Sequence, residues 1–299
     1  MSDLDLTQLP DQAEIQRLLA PDTANDEPGA AAWRTLERKL ARNWKIARLR
    51  RALGVARRSR DVDYVQGRYE NLWSQDDLRS DQDQKLSPIL WGERRMMVRP
   101  RALKRLYLRL VLGLLRDRRP GTVLEVGCGN GRNLFALAAM YPDPRYTGIE
   151  LSEAGVAAAR GFQAEPTVGE AIARHAPAPL ADPAAHRKIT FMQGNAAALP
   201  FEDASFDVAV TILALEQMEA VRDQALAELA RVASDLVVMI EPWRDLNQTG
   251  FRRDRIISHG YFSASVADLG RFGLEPVHVD LTLPSKLQMG VALVVAKRA

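Results

Sequence analysis

Residues 122–134, TVLEVGCGNGRNL, constrain the chain more than any other stretch. A β-branched and aliphatic run over 122–126 leads into glycines at alternate positions, Gly127, Gly129 and Gly131, and then into a helical pattern over 132–140. This spacing predicts a strand, a tight turn and a helix start. Glycine tolerates φ > 0 and lets a ligand approach the backbone. The helix start beyond it offers unpaired N–H groups and the positive end of a dipole. The pattern is not the GxGxxG of a dinucleotide site, and Glu125 stands two residues before the first glycine. A carboxylate aimed at the turn disfavours a pyrophosphate and suits a cationic or hydroxyl-bearing ligand. A tight αβ connection with no ligand is the plainer alternative; the strand before and the helix after favour a nucleotide-like site.

Four more segments follow in order: 146–152 (YTGIELS), 194–201 (GNAAALPF), 206–210 (FDVAV) and Glu241-Pro242. With 125–131 they resemble the successive motifs of the class I S-adenosylmethionine-dependent methyltransferases, of the type 11 and 25 kind, over about residues 120–299. The resemblance implies an α/β fold, a doubly wound seven-stranded sheet of order 3-2-1-4-5-7-6 with strand 7 antiparallel. It also implies S-adenosyl-L-methionine as cofactor, held by Glu125, Gly127, Gly129, Asn130, Gly131, Glu150, Leu151, Asn195, Ala196 and Thr211. Glu150 ends the second strand 21 residues after Gly129, where an acid can accept both hydroxyls of a ribose; a carboxylate near a helix N-cap is the alternative. Leu151 is expected against the adenine ring, and Ala196 supplies a backbone N–H. Asn195 stands where the family usually has aspartate, and its amide oxygen can still accept from the adenine amino group.

The chain has 299 residues and a single cysteine, Cys128, which excludes an internal disulfide and a Cys-based metal cluster. Acidic residues in MSDLDLTQLPDQ do not suit a signal peptide, and no apolar run is long enough to span a bilayer, so the expected compartment is the cytoplasm. Charge is divided: residues 1–119 carry a net +8 and residues 120–299 a net −5. Three parts are read: a loosely ordered lead-in over 1–29, a helical, basic cap over 30–119, and a class I methyltransferase domain over 120–299.

Within the cap, Trp33, Leu36, Leu40 and Trp44 recur at helical spacing, and residues 34–60 hold eleven basic residues against one acid, Glu37. A helix packed on the domain with a solvated basic back face is one reading; a surface for nucleic acid or an anionic membrane is the other. Tyr64, Tyr69 and Trp73 make 61–73 aromatic. The resemblance implies that this segment lies over the cofactor and substrate cleft; a plain core role for Tyr69 is the alternative. Residues 74–87 read as a loop and 101–116 as a helix.

In the domain, 163–188 is an Ala- and Pro-rich insertion whose His175 and His186 are expected at the surface. The four histidines lack a short HxxxH spacing, so no metal is expected. Glu216-Gln217 stands where many relatives have a histidine; Glu216 either orients substrate or caps the next helix. Trp243 is expected to wall the substrate pocket. Residues 247–259 read as a basic loop whose Arg252 and His259 face an acceptor, followed by a helix over 264–272 with Ser263 as N-cap and strands over 275–283 and 289–296. The substrate set is thus Tyr69, Trp73, Gln217, Trp243 and Arg252, and the catalytic candidates are His259, Tyr261 and Glu216. The expected reaction is methyl transfer to a small-molecule acceptor, a natural product or lipid-like metabolite. RNA methylation through the basic N-terminal region and a non-catalytic cofactor-binding partner are the rivals.

Overall fold

The structure is a computed structural model that describes residues 4–24, 30–53, 61–75, 78 and 85–299, without the side chains of 30–32, 47, 50, 51, 250, 258 and 259. In chain order the elements are α1 (Gln12–Leu19), α2 (Ala30–Ala52), α3 (Val62–Trp73), β1 (Ser87–Trp91), β2 (Arg94–Val98), α4 (Pro100–Arg118), β3 (Thr122–Val126), α5 (Arg132–Met140), β4 (Arg145–Glu150), α6 (Glu153–Gln163), α7 (Gly169–His175), β5 (Thr190–Gln193), β6 (Phe206–Ile212), α8 (Arg222–Val232), β7 (Ala233–Glu241), α9 (Gly250–His259), β8 (Leu274–Asp280), β9 (Ser285–Lys286) and β10 (Ala292–Arg298).

Seven strands form the main sheet in the order β5-β4-β3-β6-β7-β10-β8. β3 to β7 are parallel, and β10 runs antiparallel to both β7 and β8. Numbered within the sheet, the order is 3-2-1-4-5-7-6 with strand 7 antiparallel. Successive side chains of a strand point to opposite faces, and both faces here are covered. Val123, Val208, Val238 and Val295 belong to the cluster that packs against α4, α5 and α6. Their neighbours Leu124, Ala209, Val237 and Val294 belong to the cluster around α8 and Phe262. Burial on both faces explains why these strands read as unbroken apolar runs.

α4 is a core element. Pro100 starts it without wasting a backbone donor, Arg119 ends it at φ 49°, and Leu106, Leu108, Val111, Leu112 and Leu115 on it are wholly buried. The N-terminal residues are tied to it. Ile15 and Leu19 of α1 lie in the same core cluster. Asp22, 1% exposed, meets Arg101 at 2.6 Å and Arg105 at 2.8 Å. The described residues 4–24 are therefore packed, where a loose lead-in is expected from the sequence; the buried face of α1 and the Asp22 ion pairs are the reason.

Other segments also differ from the sequence reading. Residues 87–98 form a hairpin, turned at Gly92 with φ 57°, so 30–119 is not purely helical. β1 pairs with β9 as well, Leu90 opposite Ser285, making a small sheet β2-β1-β9. The stretch read as a basic loop over 247–259 is largely α9. The helix read over 264–272 is a 3₁₀ turn, Val266–Phe272, whose N-cap is Ser265 in a capping box with Asp268. Ser263 instead bonds Glu219 and Arg222.

His175 and His186 are 3% and 0% exposed. The insertion folds back onto α5, with Ala181 N and Asp182 N both donating to Ala139 O. This encloses His175 beside Asn133 Oδ1 at 3.2 Å and His186 against Phe135 and Phe162. Burial, then Lys104 and Arg132, hold the His175 imidazole well below its ordinary pKa, so it stays neutral.

Candidate active site

The glycine turn closes over the C-terminal ends of β3 and β4. Gly127 N and Cys128 N both donate to Ile149 O, and Gly131 N donates to Cys128 O. Gly127, Gly129 and Gly131 have φ of 77°, 55° and 81°, a region that L side chains rarely adopt. Space forbids side chains there as well. A Cβ on Gly127 would lie 2.5 Å from Ala214 Cβ, and one on Gly129 would lie 2.5 Å from Trp73 Cζ2.

Beneath the turn is a cavity of about 500 Å³. It is lined by Gly127, Gly129, Asn130, Glu150, Leu151, Asn195 and Ala196. The lining is also apolar and aromatic, with Val62, Val65, Tyr69, Leu72 and Trp73 of α3 and Tyr107 of α4, and Trp73 packs directly on Gly129. Ala214, Gln217 and Met218, beyond the end of β6, continue the wall. Leu213 also lines it at φ 54°, a strained conformation for a branched side chain.

Glu150 is 7% exposed. Its Oε2 accepts from Gly129 N at 3.0 Å, and its Oε1 accepts from Ser152 N at 3.0 Å. The carboxylate thus ties the glycine turn to the start of α6. α3 is fixed over the same place: the Glu70 carboxylate accepts from Glu153 N at 2.5 Å and Ala154 N at 2.8 Å, the first donors of α6. Tyr69 and Trp73 stack with centroids 5.9 Å apart. Burial, then the Glu216 charge, hold the Tyr69 phenol well above its ordinary pKa.

The sequence-derived residues divide between cavity and core. Gly131 is buried at the start of α5 and does not line the cavity. Asn195 lines it, with Oδ1 accepting from Ala197 N at 2.9 Å. Glu125 lies under the turn without lining the cavity; Asn133 Nδ2 donates to it at 2.8 Å, and burial pushes its carboxyl up to about 7. Thr211 is fully buried on β6 and is not a lining residue. Trp243 is also fully buried, edge-on to Phe262 at 5.1 Å, so it fills the core and does not wall the pocket. Arg252 reaches Leu287 O at 3.3 Å and pins the connection before β10, not an acceptor. Tyr261 is 9% exposed and not among the lining residues. Glu216 is half-buried behind Gln217, whose Nε2 donates to it at 2.9 Å. His259 ends α9, and its side chain lies outside the described residues.

The sequence reading missed Lys104, Arg132 and Lys286, three cations that line the cavity. It also missed Glu241 as the support of the wall. Glu241 Oε1 accepts from Ala214 N and Leu215 N at 3.0 and 3.1 Å, and Oε2 from Glu216 N at 3.2 Å. Burial, then the Glu216 charge, push this carboxyl up to about 8. Among the described residues no cluster of His, Cys, Asp and Glu has metal-holding geometry.

A glycine turn and an acid at the end of the next strand face one cavity at the carboxyl ends of the strands, the place where doubly wound sheets bind their ligands. Residues 124–236 match the family model described as a methyltransferase domain. Among curated proteins, the chain is 25% identical over 134 residues to ajmaline N-methyltransferase of Rauvolfia serpentina, covering 44% of this chain and 40% of that one. It is 36% identical over 110 residues to an O-methyltransferase of Penicillium expansum, covering 37% of this chain and 33% of that one. The chain therefore matches well under half the length of these relatives. Among solved structures, it is similar to the geranyl diphosphate C-methyltransferase of Streptomyces coelicolor A3(2), with TM-score 0.48 and 14% identity over 79% of this chain and 98% of that one. An S-adenosylmethionine-dependent methyltransferase from Methanosarcina mazei gives TM-score 0.46 and 17% identity over 59% of this chain and 92% of that one.

Proposed function

We propose that this chain transfers a methyl group from S-adenosylmethionine to a small, largely apolar acceptor. The observation that carries the reading is one cavity lined both by the glycine turn with Glu150, Asn195 and Ala196 and by α3 with Tyr69, Trp73, Val62 and Val65. The cradle fits the cofactor: Gly127 and Gly129 leave the backbone bare at the cavity where side chains would clash, and a buried carboxylate ends β4. In this reading Glu150 accepts from the ribose hydroxyls, Asn195 and Ala196 meet the adenine, Leu151 packs on it, and Gly127 to Asn130 receive the amino-acid end. The bound cofactor supplies a methyl group already activated by a positive sulfur.

The chain's contribution is orientation and exclusion of water, which together reach large rate factors without a covalent step. Tyr69, Trp73 and Gln217 hold the acceptor in line, and the aromatic wall keeps water out. None of the described histidine side chains lines the cavity, and the Tyr69 and Tyr107 phenols are held protonated by burial. The curated relative named ajmaline N-methyltransferase supports a small-molecule acceptor over RNA.

Incubation with S-adenosylmethionine and a panel of apolar amines, phenols and acids tests this by release of S-adenosylhomocysteine. Calorimetric titration of the cofactor alone should give binding, and Glu150→Ala should weaken it by about 1.5–3 kcal/mol for each charge-assisted bond lost. Cofactor binding without turnover across the panel would favour a binding protein, and no binding at all would remove the reading.

A further inference from the structure

α2 has two sides with different surroundings. Trp33 is 3% exposed, with the Arg95 guanidinium 5.5 Å from its ring centroid. Glu37 pairs with Arg95 at 3.2 Å. Trp44 Nε1 donates to Asp254 of α9. At about 100° per residue these three positions fall within roughly 40° of arc, and this side faces the rest of the protein. Across the helix axis lie Lys39, Arg42, Ile46, Leu49 and Leu53, within an arc of roughly 80°. Leu53 N donates to Leu49 O, which carries the helical turn through Leu53.

This outer side is exposed throughout. Ile46, Leu49 and Leu53 are 44%, 61% and 69% accessible, and Lys39 and Arg42 are also exposed. Arg38 and Lys45, both exposed, flank the stripe. The only acid of α2, Glu37, is on the packed side. A single exposed leucine needs no explanation, but three large apolar residues that follow Lys39 and Arg42 along one side of the helix make a two-part surface. The cations alone would serve a phosphate backbone, which gains nothing from Leu49 and Leu53. A bilayer surface uses both parts, headgroup charge for the cations and the acyl boundary for the apolar stripe.

We propose that the outer side of α2 docks on an anionic lipid surface, with α2 lying flat, Ile46, Leu49 and Leu53 at the acyl boundary, and Lys39, Arg42 and Lys45 on the headgroups. This is attachment, not insertion, since no helix among the described residues is long and apolar enough to cross a membrane.

Flotation of the full chain with vesicles tests it, using phosphatidylcholine alone and phosphatidylcholine with about one third phosphatidylserine. The chain should float with the anionic vesicles about tenfold more than with the neutral ones, and less as salt is raised. Leu49→Asp/Leu53→Asp and Lys39→Glu/Arg42→Glu should each lose roughly that tenfold preference while keeping the wild-type circular dichroism and melting curve; Leu49→Ser/Leu53→Ser serves if the aspartates disturb the helix. Equal flotation with both vesicles, or wild-type flotation by the leucine variants, overturns the proposal. So does binding to an oligouridine RNA that the charge-reversal variant abolishes and the leucine variants leave intact, which would assign the face to nucleic acid.

Discussion

Gly129 and Trp73 show how the site is specified one residue at a time. The backbone at Gly129 is left-handed and the indole of Trp73 lies where its Cβ would be. Gly129→Ala therefore carries two penalties, about 1–2 kcal/mol for the left-handed conformation and a steric one against Trp73. Adding Trp73→Ala should remove the second and not the first. Urea unfolding of the two single variants and the double variant should show a coupling of about 0.5–3 kcal/mol, and strict additivity would contradict the contact. Glu241 makes a pH prediction. Its carboxyl is raised from 4.5 to about 8 in the folded chain, chiefly by burial, so between those values the folded state keeps a proton that the unfolded state has lost. Its contribution to stability is full below pH 4.5 and disappears as pH rises to about 8. Melting temperature should fall over this window in wild type and fall less in Glu241→Gln; identical slopes would show that Glu241 does not titrate there. Glycine positions and Glu150 were legible in the sequence because turn geometry and strand ends have local signatures. Glu241, Lys104 and Lys286 were not, because their place at the wall depends on contacts far along the chain. Trp243 and Arg252 were misplaced for a related reason: a sheet-edge position does not say whether a side chain turns to the cavity or to the core.

At the scale of elements, α3 is held over the cavity by the Glu70 carboxylate at the start of α6. Glu70→Ala leaves two N–H groups at that helix start without their charged acceptor, a loss of about 1–2 kcal/mol. If Tyr69 and Trp73 hold the acceptor, the variant should raise KM for acceptor several-fold with little change in cofactor affinity; steady-state kinetics beside calorimetry separates the two. Long periodic elements such as α4, α5 and the five parallel strands could be read from period and apolar runs. The hairpin β1–β2 could not, because Pro88, Arg94 and Arg95 blur the alternation and its pairing partner β9 is only two residues long. α9 reads as a loop because Arg252, Arg253 and Arg255 interrupt its apolar period; its ties to the rest of the chain are set by α2 and by the connection before β10. The insertion misled in the other direction: its proline and alanine content suggests surface, yet it returns to α5 and buries two histidines.

At the scale of the whole molecule, the sheet order was legible once the motif order was seen, whereas the dependence of the sheet on residues 4–118 was not. α4 supplies one wall of the core, and Asp22 locks the N-terminal segment to it. A fragment of residues 120–299 should therefore fail to unfold cooperatively and should bind a hydrophobic dye, since it leaves the apolar face contacted by α4 bare. A sharp, dye-free melting transition would show the domain to be self-sufficient.

The β1–β9 ladder has a further consequence, in time. Leu90 pairs with Ser285, and β10 must slide between β7 and β8 to finish the main sheet. During synthesis the hairpin can close as soon as it emerges, but its outer edge stays bare until most of the chain has followed, as does the face of α4 that the sheet covers. A ribosome adds roughly 5–20 residues per second, so that edge waits about ten seconds or more for its partner. Nascent chains arrested before β9 should remain open to protease at the hairpin and bound by chaperones, and those arrested once β10 has emerged should not.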